Sequence, residues 1–432
     1  MAVLADRIAN LGTENAFEVG KDIARLEAQG RRIIKFNLGQ PDFPSAPHLN
    51  AEAIRQIEAG NIGYVDPAGI LGLRKAIAVH MKKTRGVDVD PDCVVVTAGA
   101  KPPIGLTVLT YVNRGDEVVY PSPGFPIYES WVQFLGATPV PLRLTEERDF
   151  AFTPEELGDL ITPKTKLVIL NSPSNPTGGV LSKKDLEGIA RVIREKGSPE
   201  LRVYSDEIYE QILFDGEEHR SLVTELGMQE RTVVASGHSK GFGMTGWRLG
   251  WAVLPTVEEA KVFARFNVNT ISCVPPFIQE AGRLAYESPE TAKYVARNLA
   301  AFQERRDRIV PALNRIPGIK CRLPKGTFYV FPNVEGYCRD LGILDAYAAL
   351  PEAERAMTAP STLLQAFLLY VHGIATLGRR SFCRLGSEGE HYLRLSIANS
   401  MEELEAGVKA MADAAGDREG FRGFMEEAPH RK

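Results

Sequence analysis

Polar loops follow four predicted strands in the middle of the chain, and they carry residue types that can do chemistry. The strands are short apolar runs rich in β-branched residues: Val94–Thr97, Leu167–Leu170, Arg202–Ser205 and Thr232–Ala235. The loops that follow them are Ala98–Lys101, Asn171–Gly178, Asp206–Tyr209 and Ser236–Lys240. In open α/β sheets, ligands bind beyond the carboxyl ends of the strands. We therefore expect these loops to meet at one edge of a sheet and to form a binding site there.

Lys240 and Asp206 are the residues in these loops that suggest a pyridoxal cofactor. Such a cofactor needs a lysine amine with a lowered pKa, which holds its aldehyde as an imine. It also needs an anion beside its ring nitrogen, so that the ring can accept electrons from a substrate Cα. Lys240 and Asp206 suit these two roles. Asn175 and Tyr209 are suited to donate to the phenolic oxygen of the ring.

A cofactor phosphate needs backbone N–H groups at a helix N-terminus and a guanidinium group. The turn formed by Gly99, Ala100 and Lys101 precedes a predicted helix and is suited to supply the N–H groups. Arg248 is suited to supply the guanidinium, and Phe125 to stack on the face of the ring. These residues complete a candidate site for pyridoxal 5′-phosphate.

Six motifs carry a resemblance to a known family. They are NLGQPDF at Asn37–Phe43, GYVDPAGILGLRKAI at Gly63–Ile77, NSPSNPTGG at Asn171–Gly179, SDEIYE at Ser205–Glu210, SGHSKGFGMTGWRLGW at Ser236–Trp251 and LRLSIANS at Leu393–Ser400. Together and in this order they resemble the class I and II aminotransferases, which are fold-type I pyridoxal-phosphate enzymes similar to aspartate aminotransferase. The resemblance runs from Leu11 to Ser400.

The resemblance implies roles for further residues. Arg394 matches the arginine that binds the substrate α-carboxylate as a bidentate pair, and Gly39 matches the backbone position beside the substrate. Tyr64 matches a tyrosine that reaches the phosphate of the neighbouring subunit, which implies a homodimer with shared active sites. Gly237 departs from the family pattern, because relatives often carry a phosphate-binding serine there, and we expect Ser239, or alternatively Ser236, to replace it as a phosphate ligand.

The implied activity is a ping-pong transfer of an amino group from an L-amino acid to a 2-oxo acid such as 2-oxoglutarate. The substrate amine displaces Lys240 from its imine with the cofactor, and the freed Lys240 moves the Cα proton as a general acid–base. The same motifs occur in pyridoxal-dependent lyases, decarboxylases and cyclopropane-forming synthases. A lyase or decarboxylase that acts on an amino acid is therefore the alternative within the class.

Each candidate residue alone also has a simpler interpretation. Asp206 before Glu-Ile-Tyr is a good helix N-cap, Tyr209 is a packed aromatic residue, and Asn175 before a proline is a turn residue. Arg248 and Arg394 taken singly are more often surface ion pairs than ligands. The prediction therefore depends on the set of motifs and on their order along the chain.

Two readings from other functional classes fit the sequence poorly. Gly241–Gly246 matches the GxGxxG pattern of NAD-dependent oxidoreductases, but Trp247–Leu254 after it has the pattern of a strand rather than of the required helix. A non-catalytic regulator fused to a DNA-binding module is disfavoured because no helix-turn-helix pattern precedes residue 11.

Alternating helix and strand patterns predict an α/β fold with a mainly parallel sheet. Three further strands bring the sheet to seven: Glu117–Tyr120, Thr138–Pro141 and Gly250–Leu254. We expect a large cofactor-binding domain over 57–296 and a smaller α/β domain built from 1–56 and 297–432. The smaller domain includes a polar insertion at about 335–362 and a frayed tail at 415–432.

Bulk properties limit the partners and the compartment. The chain has 432 residues, which favours two domains, and a formal net charge of -4, which gives no reason to expect nucleic acid. Five scattered cysteines indicate reduced thiols. The N-terminus does not resemble a signal peptide, and the apolar stretch Leu363–Leu377 is too short and interrupted to span a membrane. We expect a cytoplasmic protein.

Besides Gly237, two places depart from the family pattern. His238 stands two residues before Lys240, where an apolar residue is usual, and Thr376–Phe382 replaces a common Pro-Gly turn before phenylalanine. Because that segment borders the substrate mouth in the family, we hypothesise that Arg379 or Arg380 binds an acidic side chain or oxo acid. Solvated surface arginines are the alternative.

Overall fold

A computed structural model describes residues 3–427 of the chain. The helices in that range, labelled α1 to α16, are Asn15–Ala28, Pro47–Glu58, Leu71–Arg85, Pro102–Tyr111, Pro126–Leu135, Pro154–Leu160, Lys183–Lys196, Val257–Thr270, Pro276–Glu287, Pro289–Leu313, Glu335–Asp340, Ile343–Ala348, Glu352–Met357, Pro360–Tyr370, Met401–Ala414 and Arg418–Glu427. The strands, labelled β1 to β12, are Ile34–Lys35, Val94–Thr97, Glu117–Ser122, Thr138–Arg143, Thr165–Asn171, Arg202–Asp206, Thr232–Gly237, Gly250–Val253, Tyr329–Val330, Ile374–Ala375, Leu377–Gly378 and Leu393–Ser396. None of these helices is both long and apolar enough to cross a bilayer.

A seven-stranded sheet forms the centre of the fold, in the order β2-β8-β7-β6-β5-β3-β4. β8 is antiparallel to both of its neighbours, and the other pairs are parallel. The seven strands are those predicted from the apolar runs, so the predicted fold class is confirmed. Strands such as β2 and β7 are buried along their whole length, and a strand that is covered on both faces needs apolar side chains in both directions.

The register of the parallel strands sets the positions of the polar loops. Asn171, the last residue of β5, pairs with Asp206, the last residue of β6, and Asp206 pairs in turn with Ala235 of β7. Because parallel strands end on the same edge, the loops after β5, β6 and β7 start side by side. Lys240 follows β7 within that row.

A second region contains the small sheets β1-β10 and β11-β12-β9. Its apolar core is formed by side chains of α10, α14, α15 and α16. Ser288 caps the N-terminus of the long helix α10 by accepting a hydrogen bond from the backbone N–H of Glu290. β12 in this region carries Arg394, and its neighbour β11 is antiparallel to it, with Leu377 opposite Arg394.

The predicted frayed tail is wrong for most of its length. Residues 418–427 form α16, and Phe421 and Phe424 on this helix are 4% and 3% exposed in the core of the second region. Burial of a phenylalanine contributes about 1.5–3 kcal/mol, which is enough to order a charged helix that carries two of them. The last part of the predicted tail, 428–432, lies outside the described residues.

Candidate active site

A cavity of about 590 Å³ opens at the carboxyl edge of the large sheet and extends to β12. Its wall includes most of the predicted site residues: Gly39, Ala100, Lys101, Phe125, Asn175, Asp206, Tyr209, Ser239, Lys240, Arg248 and Arg394. Gly99 and Tyr64 are not among the lining residues. The structure therefore brings together side chains that are separated by up to several hundred positions in the sequence.

Lys240 lies in the middle of this wall. Its Nζ donates a hydrogen bond of 2.6 Å to the carbonyl oxygen of Gly39 and lies 5.8 Å from the centroid of the Tyr209 ring. Loss of solvation lowers the pKa of Lys240 below its ordinary value, and the charge on Arg394 lowers it further. A lowered pKa favours the neutral amine, which is the form that attacks a carbonyl carbon and accepts a proton.

Asp206 is a buried carboxylate at the end of β6, 5% exposed. Its Oδ2 accepts a hydrogen bond of 2.8 Å from the hydroxyl of Tyr128, and its Oδ1 accepts one of 3.3 Å from the backbone N–H of Ile208. Burial raises the pKa of Asp206 to about 6, although the Tyr128 hydroxyl opposes this shift. A cation bound beside the carboxylate would replace the solvation that burial removes, as a protonated ring nitrogen would do.

Tyr128 and Tyr329 were not predicted from the sequence. Tyr128 lies on α5 and is fully buried, and a buried tyrosine hydroxyl needs a polar partner. Tyr329 lies on β9, and its hydroxyl is 3.1 Å from that of Tyr209. Burial raises the pKa of Tyr209 well above its ordinary value, so its hydroxyl remains a donor at neutral pH. The only sequence signal for Tyr128 was its place three residues after the predicted Phe125.

Arg394 is a buried cation whose guanidinium has one unsatisfied donor. Its Nη1 donates to the side-chain oxygen of Asn175 at 3.1 Å, and its Nη2 donates to the carbonyl of Asn37 at 2.6 Å. Among residues 3–427 its Nε has no partner. The ring of Tyr329 lies 4.3 Å from the guanidinium carbon. A buried cation that has no counter-ion within the described part of the chain and keeps a free N–H is chemically complementary to a carboxylate ligand.

A polar chain joins Arg394 to Asp206. The side chain of Asn175 accepts from Arg394, while its backbone N–H donates to Asn171 Oδ1 at 2.8 Å. The amide nitrogen of Asn171 in turn donates to the carbonyl of Asp206 at 3.0 Å. Four residues, three of them on strands and one in a loop, are thus connected by consecutive hydrogen bonds.

The turn after β2 is shaped for close approach of an arginine and of an anion. Gly99 has a φ of +91°, and a Cβ at this position would lie 2.1 Å from Nη2 of Arg248. Arg248 itself is fixed by hydrogen bonds to the carbonyls of Thr245 and Ala98, at 2.8 and 3.2 Å. Because α4 begins with two prolines, which have no N–H, Ala100 and Lys101 precede it with the backbone donors. Such a helix N-terminus attracts phosphate.

These residues fit pyridoxal phosphate on the chemistry of the donor set. A lysine amine, a buried carboxylate, two hydroxyl or amide donors and an arginine at a helix N-terminus line one cavity. When bound, the cofactor supplies an aldehyde that condenses with amines and a ring that accepts electrons from a substrate Cα.

The hypothesis that Arg379 or Arg380 binds an acidic substrate is wrong. Arg379 is fully buried, and each of its guanidinium nitrogens already donates to protein oxygens, including Glu390 and Ser122. Arg380 donates to the carbonyls of Thr358 and Ala356. Neither arginine lines the cavity, so neither is positioned to meet a substrate.

His238 is a core residue. Its Nε2 lies 3.1 Å from the carbonyl of Gly282, and its ring stacks on Phe242 with centroids 5.2 Å apart. Burial lowers the pKa of His238 to about 4, so the imidazole is neutral and packs as an apolar group.

Comparison with known proteins identifies the family. The family model "Aminotransferase class I and II" matches residues 31–411. The chain is 32% identical to an aspartate aminotransferase of Musicola paradisiaca, over 96% of this chain and 97% of that one. It is 35% identical to aromatic-amino-acid aminotransferase 2 of Thermococcus litoralis, over 89% of this chain and 92% of that one. The chain belongs to the class I and II aminotransferases.

Solved structures agree with this assignment. The aspartate aminotransferase from Rhizobium meliloti superposes with a TM-score of 0.85 at 29% identity, over 96% of this chain and 99% of that one. The Thermus thermophilus aspartate aminotransferase with maleate superposes with a TM-score of 0.83 at 30% identity, over 96% and 100% of the two chains. The protein is a pyridoxal-phosphate-dependent aminotransferase, which acts on amino acids and 2-oxo acids.

Proposed function

We propose that Arg394 binds the α-carboxylate of an L-amino acid and then that of a 2-oxo acid such as 2-oxoglutarate. The observation that carries this proposal is the buried guanidinium of Arg394, which has no counter-ion among residues 3–427 and keeps a free Nε–H. The carboxylate replaces the carbonyl of Asn37 as an acceptor and forms a bidentate pair. Gly39, whose carbonyl holds Lys240, lies beside the bound substrate.

Lys240 is proposed as the base and the acid. Its lowered pKa favours the neutral Nζ amine, and Lys240 lines the same cavity as Arg394 and Asp206. With cofactor and substrate bound, Lys240 would accept the Cα proton at Nζ and would return a proton later in the half-reaction. Asp206 would supply the negative charge that the ring nitrogen needs, and Tyr209 would donate a hydrogen bond to the phenolic oxygen.

The remaining cofactor contacts are proposed from their places around the cavity. The turn before α4 and Arg248 hold the phosphate, and Phe125 packs on the ring. These proposed contacts are Gly99, Ala100, Lys101, Phe125, Asn175, Ser239 and Arg248, with Tyr64 acting from a second subunit.

The cavity wall favours both dicarboxylic and aromatic amino acids. The Nζ of Lys101 forms an ion pair with Glu14 and lies 5.7 Å from the ring centroids of Phe17 and Phe125. The side-chain carboxylate of a dicarboxylic substrate takes the place of Glu14 at Lys101, while an aromatic side chain packs on the two phenylalanines. The relatives named for aspartate and for aromatic amino acids support this range.

A panel of amino acids tests the reaction and its range together. We expect aspartate, glutamate and phenylalanine to bleach the visible band of the holoenzyme, and 2-oxoglutarate to restore it. Release of ammonia and pyruvate instead would contradict transamination and indicate a lyase. Lys101→Met is expected to raise KM for aspartate about tenfold, which is the loss of one charge-assisted bond, and to leave KM for phenylalanine unchanged.

The homodimer with shared active sites is also a proposal. Tyr64 is 89% exposed, and the nearby Ile62 and Leu71 are 65% and 48% exposed. A run of exposed large apolar residues is typical of an interface. Sedimentation of the holoenzyme tests the oligomeric state. Tyr64→Phe is expected to weaken pyridoxal phosphate binding and to leave the oligomeric state unchanged. A monomer at micromolar concentration would contradict the proposal.

The division into domains and the compartment are proposals that rest on chain length, on the pattern of strands and on the cysteines. We propose a large domain over 57–296 and a smaller one from 1–56 and 297–432. Cys93, Cys273, Cys321, Cys338 and Cys383 are all free thiols, which supports a reducing, cytoplasmic compartment. Limited proteolysis between the two domains and cell fractionation test these two points.

A further inference from the structure

The segment 379–386 contacts two residues of the cavity wall from behind. The ring of Phe382 lies 4.9 Å from the guanidinium carbon of Arg394. The Sγ of the next residue, Cys383, donates to the carbonyl of Phe125 at 3.5 Å. The segment therefore supports both the proposed carboxylate site and the residue proposed to stack on the cofactor.

Arg379 holds this segment through its guanidinium. Its Nη1 donates to the carbonyls of Phe382 and Cys383 at 2.8 and 2.9 Å, and its Nη2 donates to the carbonyl of Gly386 at 3.2 Å. The same Nη2 donates to Oγ of Ser122 at the end of β3, at 2.9 Å. The segment is thus tied through one side chain to the large sheet.

The remaining donor of Arg379, its Nε, bonds to the carboxylate of Glu390, which balances the charge. Every N–H group of this buried guanidinium therefore has an acceptor. A fully satisfied arginine holds its partners in a fixed geometry, because the planar fork permits few alternative arrangements.

The backbone held by Arg379 has a conformation that is unfavourable without support. Cys383 has a φ of +59°, in the left-handed region that residues other than glycine seldom adopt. The two carbonyls that flank this torsion, those of Phe382 and Cys383, both accept hydrogen bonds from Arg379. The hydrogen bonds from Arg379 and the unusual φ of Cys383 together set the direction in which Phe382 points.

We infer that Arg379 is a positioning residue for the carboxylate site. By fixing the carbonyls of Phe382 and Cys383, it holds the Phe382 ring against Arg394 and keeps that guanidinium oriented for a carboxylate. The inference rests on the proposed role of Arg394. The amino acid and the 2-oxo acid both present an α-carboxylate, so loss of Arg379 weakens the binding of both substrates. The cofactor contacts of Lys240 and Asp206 remain intact.

Arg379→Met in the holoenzyme, with Arg380→Met as matched control, tests the inference. We expect KM for the amino donor and for 2-oxoglutarate to rise together by about tenfold or more, with kcat lowered less than about threefold. Propionate, a bare carboxylate, is expected to lose affinity to the same extent. The dissociation constant of pyridoxal phosphate is expected to change less than either KM, because Lys240 and Asp206 keep their contacts and only the support of Phe125 is affected. Arg380→Met, whose side chain donates to the carbonyls of Thr358 and Ala356 and does not line the cavity, is expected to behave as wild type.

Partial variants decide the question if Arg379→Met does not fold. Ser122→Ala removes an acceptor for Nη2 and a hydrogen bond from Ser122 to the carbonyl of Leu385, and Glu390→Gln weakens the bond to Nε. Each is expected to raise both KM values about two- to threefold. Arg379→Lys keeps the charge near Glu390 and is expected to fall between wild type and the methionine variant. Unchanged KM values in the folded variants, or an equal loss of cofactor affinity, would overturn the inference.

Arg394→Ala separates this inference from the proposed function. If Arg394→Ala raises both KM values and the Arg379 and Ser122 variants do not, the carboxylate role stands and the positioning role is refuted. If Arg394→Ala leaves both KM values unchanged, the proposed function fails and the inference fails with it.

Discussion

The two ends of the cavity are built in different ways. At the cofactor end, Asp206 ends one strand of a mainly parallel sheet and Lys240 follows the neighbouring strand, so that both lie at the same edge of the sheet. At the substrate end, Arg394 meets the carbonyl of Asn37, which lies 357 positions away, and the side chain of Asn175. The cofactor end therefore depends on one sheet edge, whereas the substrate end depends on contacts between separate parts of the chain.

This contrast predicts different consequences of mutation. Changes at the cofactor end remove a chemical group but leave its neighbours in place, because the strands position them. Changes at the substrate end also disturb the packing that orients Arg394. The four predictions that follow compare the two ends, from the largest expected effect to the smallest.

Lys240→Ala is expected to lower kcat by more than about 10⁴-fold, because it removes both the imine-forming amine and the proton carrier. Stopped-flow measurement of the first half-reaction, with cofactor bound, gives the rate. Lys261→Ala is the control, since this side chain is 62% exposed on α8. Appreciable turnover of the Lys240 variant would mean that another group moves the Cα proton.

Arg394→Ala is expected to raise KM for both substrates by about 10²-fold, which corresponds to the loss of two charge-assisted hydrogen bonds. Steady-state kinetics with an amino acid and 2-oxoglutarate measure the effect. Arg308→Ala, which removes a 60% exposed arginine, serves as control. An effect on only one of the two substrates would contradict a shared carboxylate site.

Asp206→Asn is expected to change the pH dependence of apoenzyme stability. The folded-state pKa of about 6 lies above the ordinary 3.8, so folding favours the protonated form. Asp206 therefore contributes most to stability at low pH, and that contribution is lost as the pH rises through about 6. At pH 8 the charged carboxylate opposes folding by about 3 kcal/mol, which the asparagine variant should recover.

Denaturant unfolding of both apoproteins across the pH range measures this difference, with Asp159→Asn, 81% exposed, as control. The higher stability of the Asp206→Asn apoprotein relative to wild type should disappear near pH 4. In the holoenzyme the variant is expected to be less stable than wild type, because it lacks the anion beside the ring nitrogen of the cofactor. Equal stability of the two apoproteins at pH 8 would show that the buried carboxylate is solvated by other means.

Tyr128→Phe is expected to weaken pyridoxal phosphate binding by about 3- to 10-fold, because the lost hydrogen bond raises the pKa of Asp206 further. Fluorescence titration of the apoenzyme gives the dissociation constant. Tyr204→Phe is a close control, since Tyr204 is buried on the same strand as Asp206 and its hydroxyl has no partner among residues 3–427. Equal effects in both variants would exclude a specific role for Tyr128.

The cofactor end could be predicted from the sequence because its causes are local. Buried parallel strands are short apolar runs, and the polar residues that follow them, such as Asp206 and Lys240, stand at the sheet edge. Tyr128 was not predicted because it lies inside a helix, where residue spacing does not distinguish a hydrogen-bonding tyrosine from a tyrosine packed in the core. Tyr329 lies on a two-residue strand that gives an equally weak signal.

The predictions from sequence were wrong where contacts between distant parts of the chain determine what a side chain does. Arg379 and Arg380 were visible as adjacent cations, but the sequence does not show that backbone carbonyls occupy both side chains. Residues 418–427 were interpreted as a frayed tail because charged residues dominate their composition. The apolar pair Phe421 and Phe424, three positions apart, was the signal for a packed helix.

The hydrogen-bonded chain from Arg394 through Asn175 and Asn171 to Asp206 gives the two ends of the cavity a direct physical connection. We expect a carboxylate bound at Arg394 to change what Asn175 accepts and so to affect the end of β6, which carries Asp206. Linkage is reciprocal, so whatever factor the substrate adds to cofactor affinity, the cofactor adds to substrate affinity. The apoenzyme is therefore expected to discriminate poorly among carboxylates, and selectivity appears only in the loaded enzyme.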